Sequence, residues 1–183
     1  MHVLSRDEAL SILLVDDADD QAKAPLNEGR EIVIALSEQD LRTIELSLCD
    51  VVVSMDRREF TDHMPLDVHE ALRWADDLRL LRQSVFEERE AIPLSSPAVR
   101  ARRIDWAAWS KVDSEASSPR TDEALFCISE DDLAVMSSAV RHATDRDPAV
   151  MNPVDGRLMT DDTVGRALRA SFESMARNFY RRA

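Results

Sequence analysis

Four stretches of helical periodicity in this chain each open on a serine or aspartate followed three residues later by an acid: Ser5 and Glu8, Ser37 and Asp40, Asp67 and Glu70, Ser129 and Asp132. At that spacing the first side chain accepts from the backbone amide of the third residue on. The acid reaches back to the amide of the first, so two donors left open by a helix start are satisfied together. Behind each pair the apolar residues recur with the helical period. Ala9, Leu10, Leu13 and Leu14 predict a helix over about 6–22, ended by Pro25. Leu41, Ile44, Leu48 and Val51 with Val52 predict a second from residue 37 onward. Ala71, Ala75, Leu78, Leu81 and Val85 predict the longest, about 68–89, and the fourth reaches about residue 143. Ser96-Pro97 reads as the cap and first turn of a fifth helix reaching Trp109. Val164, Leu168, Phe172, Met175 and Phe179 predict a last one over about 161–181.

Two short apolar runs, Glu31–Leu36 and Glu123–Ile128, read as strands. Both feed a capped helix: IALSEQDL (34–41) resembles FCISEDDL (126–133), and a polar loop and a long helix follow each. The expected fold is therefore helix-dominated α+β. It has five or six helices and one or two short strands, arranged as two similar strand–helix–loop–helix lobes if the repeat is real. Ser-Glu-x-Asp-Leu is also simply a common way to begin a helix. AIPLSSP (91–97) breaks the helical pattern and marks a boundary. An acidic lobe, 1–90, and a second lobe, 91–183, then share one globular unit. VDSEASSPRT (112–121) reads as a polar linker and DRDPAVMNPVDGR (145–157) as a long loop.

The net charge of −13 is unevenly placed. Residues 1–78 hold 19 acids and 7 bases, and residues 79–183 hold the other 17 acids and 16 bases. A field of that sign repels nucleic acid and anionic membrane and attracts a basic partner. With 44% apolar and 32% charged residues the chain has the composition of a soluble globular protein. SILLV and IVIAL are its longest aliphatic stretches, too short to span a membrane, and MHVLSRDEAL has acids where a signal peptide needs apolar residues. The expected location is the cytoplasm. Cys49 and Cys127 are then expected as two buried free thiols. Arginine dominates the bases, with Lys23 and Lys111 the two lysines, a bias that points to a GC-rich bacterial genome.

Common catalytic signatures are missing. The three glycines, Gly29, Gly156 and Gly165, stand apart, so neither a P-loop nor a dinucleotide fingerprint is possible. There is no GxSxG, HExxH or CxxC. His63 and His69 with Asp62 or Asp67 fall short of a zinc set, which needs three or four converging ligands. Arg100, Arg102 and Arg103 precede Trp106 and Trp109, a pattern that can bind single-stranded nucleic acid, but the chain's charge opposes it. SILLVDDADD (11–20) resembles the first strand of a two-component receiver domain, which would make Asp16 and Asp17 metal ligands. CDVVVSMD (49–56) resembles that family's acceptor strand, with the acceptor at Met55 or displaced to Asp56. The resemblance ends there. Pro25 and Gly29 leave too little room for the family's first helix, and no later strand ends in its switch residue or its lysine. DDADD also matches the DDxxD arrangement of terpenoid synthases, whose large aromatic cavity a chain with 5% aromatics cannot line.

In size, acidity and lack of catalytic motifs the chain resembles bacterial toxin-immunity proteins. That resemblance implies a non-enzymatic inhibitor, without cofactor or metal, that covers the basic cleft of a nuclease toxin. The acids expected to meet such a partner are Asp16, Asp17, Asp19, Asp20, Glu38, Asp40, Asp76 and Asp77, with Asp56, Glu59 and Asp62 in a loop as a second set. An acidic secretion chaperone for an exported effector is the alternative. A magnesium-dependent enzyme using the Asp16–Asp20 carboxylates comes third.

Overall fold

The computed structural model describes residues 2–3, 31–86, 100–103, 123–145 and 162–180. The protein is helix-dominated α+β, with five helices and a small antiparallel sheet among these residues. In chain order the elements are β1 (His2–Val3), β2 (Glu31–Ser37), α1 (Glu38–Ser54), α2 (Arg57–His63), α3 (Val68–Phe86), β3 (Arg100–Arg103), β4 (Glu123–Ser129), α4 (Glu130–Asp145) and α5 (Asp162–Tyr180). The sheet order is β1-β2-β4-β3, antiparallel throughout. The expected helix over 6–22 lies outside the described residues.

β2 is apolar without alternation because both its faces are covered. Val33, Ile34, Ala35 and Leu36 are all buried, alternate side chains pointing to opposite sides. Its last residue, Ser37, is already the N-cap of α1, so strand passes into helix with no loop between. The Ser37 amide and hydroxyl donate to Asp40 Oδ2 at 3.0 and 2.9 Å, and the Asp40 amide donates to Ser37 Oγ at 3.2 Å. β4 enters α4 in the same way. The Ser129 amide and hydroxyl donate to Asp132 Oδ2 at 2.8 Å each, and the Asp132 amide donates to Ser129 Oγ at 3.2 Å.

α1 is the central helix, in contact with β2, α3, α4 and α5. Leu41, Ile44, Leu48 and Val51 form the buried stripe that the spacing predicts. Thr43 and Ser47 are buried beside it, with their hydroxyls donating to the carbonyls of Gln39 and Thr43 at 2.8 and 2.7 Å. These back-bonds satisfy the two hydroxyls within the helix itself. α3 begins at the Asp67–Glu70 box, whose two reciprocal bonds are 3.1 and 2.9 Å. It runs antiparallel to α1, since Arg82 near its end reaches Glu38 at 3.1 Å and Glu45 at 3.3 Å near the start of α1. α5 returns along α4 likewise, with Arg169 paired to Asp145 and Glu173. Leu168, Phe172 and Met175 of α5 face inward as expected. One apolar cluster joins Ile34, Leu36 and α1 to Phe126, Ile128, α4 and α5.

Two segments differ from the sequence expectation. Arg100–Arg103 is not part of a helix from Ser96 to Trp109 but a strand on the edge of β4. Ser96-Pro97 is a valid local start signal, yet RARR has no apolar stripe to hold a helix in place, whereas β4 offers a row of open backbone groups. Residues 57–63 are a helix, not a loop. The Asp56 carboxylate accepts from the amides of Arg58 and Glu59 at 2.9 Å each, and Phe60 is the buried residue within this short helix. Seven residues with one anchor are too few for periodicity to show.

Candidate partner-binding surface

α2 is held from beneath by Phe60 and at its ends by the buried Met55 and Met64. That leaves its other side chains to solvent. From Asp56 to Glu70 the exposed charged residues are the acids Asp56, Glu59, Asp62, Asp67 and Glu70 and the arginines Arg57 and Arg58. Among the described residues Glu59 and Asp62 have no ion pair. Glu70 lies 4.0 Å from Arg73 of its own helix, a separation of marginal strength. The amide of Glu70 holds the Asp67 carboxyl below its usual value, which favours the charged form. The ledge thus presents carboxylates outward, which can receive the ammonium and guanidinium groups of a basic partner.

The other expected contact residues fall in several places. Asp16, Asp17, Asp19 and Asp20 lie outside the described residues. Glu38 is exposed in the first turn of α1 but is paired with Arg82. Asp76 is exposed and paired with Arg79 at 3.2 Å. Asp40 and Asp77 are not on the accessible surface, at 7% and 8% exposed. Asp40 is the reciprocal cap of α1, so its carboxylate is already occupied by Ser37. A net-charge count treats every acid as a surface group, and these two are not. Asp56 is both exposed and a cap, while Glu59 and Asp62 sit together on α2. Asp67 and Glu70, outside the expected set, are exposed on the same acidic stretch; the capping spacing places them at a helix start, and their exposure comes from the fold.

Cys49 is a free, half-buried thiol whose pKa burial pushes up, with Glu45 and Asp76 adding to the shift. A raised thiol is a poor nucleophile near neutral pH. His63 and His69 are exposed on separate helices. Among the described residues no group of three or more His, Cys, Asp and Glu side chains converges as a metal site, and no helix is long and apolar enough to cross a membrane. Compared with family models, curated proteins and solved structures, the chain matches none.

Proposed function

We propose that this chain is an acidic binding protein that inhibits a basic partner, as an immunity protein does when it covers the cleft of a nuclease toxin in the cytoplasm of the cell that makes it. The observation that carries this reading is the exposed acidic ledge of α2 and the start of α3. It lies within residues 1–78, whose 19 acids and 7 bases leave −12 of the total −13. A nuclease cleft is lined with arginine and lysine because its substrate is a polyanion. An acidic face steers encounter with such a cleft and then occupies the places where phosphates would sit. The same field disfavours nucleic acid and anionic membrane as partners.

The test is retention of host proteins on the immobilised chain at low and high salt, followed by affinity measurement on the purified partner. The expected partner is one basic protein bound one-to-one, with affinity that falls steeply as salt rises. Glu59→Lys with Asp62→Lys should weaken it by about tenfold or more, mainly through the association rate. Glu130→Lys, an exposed reversal in the other half, should leave it unchanged. A partner that survives high salt and ignores the Glu59 and Asp62 reversals would instead favour an apolar groove of the kind a secretion chaperone uses.

A further inference from the structure

Strand pairing, residue register, edge strands, caps and covering helices all place the two halves of this chain in equivalent positions. β2 and β4 are both seven residues long, both run from a glutamate to a serine, and pair with no overhang, Glu31 opposite Ser129 and Ser37 opposite Glu123. Glu31, Ser37, Glu38, Asp40 and Leu41 recur as Glu123, Ser129, Glu130, Asp132 and Leu133 at one constant offset, at which Ile34 corresponds to Phe126. In that register Ile34 lies opposite Phe126, its own counterpart. The local two-fold axis of the antiparallel pair therefore passes between equivalent residues, which a slip of one position would have destroyed.

The edge strands repeat the equality. Val3 pairs with Ile34 and Ala101 with Phe126, while His2 pairs with Ala35 and Arg100 with Cys127. Both strands end in the same three-bond cap. Each capped helix is then covered by a long antiparallel one, α3 on α1 and α5 on α4, and α1 and α4 meet each other.

We propose that the chain is an intramolecular pseudo-dimer. Its β2–α1 face and its β4–α4 face are one association surface used twice, and the partner that each face fits is another unit of two strands, a capped helix and a long covering helix, with α2 an addition to the first. A surface of that type is isologous, as in a two-fold homodimer, with the two protomers here joined in one chain. Rotation about the axis carries α3 onto α5 and β3 onto β1, so the end of α3 stands to the start of β3 as the end of α5 stands to the start of β1. The order of the units along the chain is then immaterial to the fold.

The test is a circular permutant of the full chain that begins at residue 100, ends at residue 99, and joins residue 183 to residue 1 through a Gly/Ser insert. The expected result is the parent's far-UV spectrum and a cooperative urea transition with the parent's m-value, since the surface exposed on unfolding is the same. A dimer with those properties would be the same pairing made between two chains and supports the proposal equally. A second permutant with a longer insert removes any strain from a short join. If neither permutant reaches a cooperative native-like state, the two faces are not equivalent and the proposal fails.

Discussion

Asp132 begins α4 with 1% of its surface exposed and its carboxylate accepting twice from Ser129. Burial pushes its pKa above the usual value, the two Ser129 bonds pull it down, and neighbouring Asp131 raises it further, for a net rise. A folded-state pKa above the unfolded one means that the folded protein binds the proton more tightly. The contribution to stability is then fully present below the unfolded pKa and is lost as the pH rises through the folded one. Asp132→Asn keeps an oxygen acceptor for Ser129 and removes the titration. Between about pH 7 and about pH 4 the parent should gain stability relative to Asp132→Asn, read as the difference in urea midpoints. A constant difference would mean that the carboxyl titrates as if exposed. The spacing of Ser129 and Asp132 announced the cap; it could not announce the burial, which comes from elements packed around it. Asp40 shows the same division, since its role at the start of α1 is local and its loss from the surface is not.

α4 and α5 meet closely where Gly165 faces Thr144. A Cβ on Gly165 would lie 3.0 Å from Thr144 Cγ2. That methyl cannot readily turn aside, because Thr144 Oγ1 is fixed by bonds to the carbonyls of Val140 and Arg141 at 2.9 and 3.0 Å. Alanine in place of a helical glycine contributes about 1 kcal/mol through propensity alone. Gly165→Ala should nevertheless give no gain, because the contact opposes it. In a Thr144→Ser background, where the hydroxyl stays and the methyl goes, the same substitution should recover about 1 kcal/mol in chemical denaturation. A full gain from Gly165→Ala alone would show that the helices can separate there freely. The helices themselves were readable because cap and period are local signals: α1 begins where its cap places it, and α3, α4 and α5 lie within a few residues of their expected bounds. β3 and α2 were not readable. β3 exists through its pairing with β4, and α2 through one aspartate cap and the burial of Phe60.

The core is shared across the molecule, with Ile34, Leu41 and Leu48 of the first half and Phe126, Met136 and Phe172 of the second in one apolar cluster. Neither half can open without exposing the buried face of the other, at about 25 cal/mol for each Å² of apolar surface. Unfolding should therefore be a single transition, with far-UV circular dichroism and tryptophan fluorescence coinciding in urea. Separated midpoints would mean that the halves hold their structure independently. What the sequence by itself determined was the helix-dominated α+β class, the two strands that feed capped helices, and the stretch of chain that carries the net charge. Each follows from neighbours along the chain, through the spacing of a cap, the period of a stripe or a count of acids. Only the tertiary structure decided that β2 and β4 pair about Ile34 and Phe126, that Arg100–Arg103 extends the sheet, and which acids remain at the surface. Those outcomes depend on residues far apart in sequence that must desolvate together, a free energy that no local pattern records.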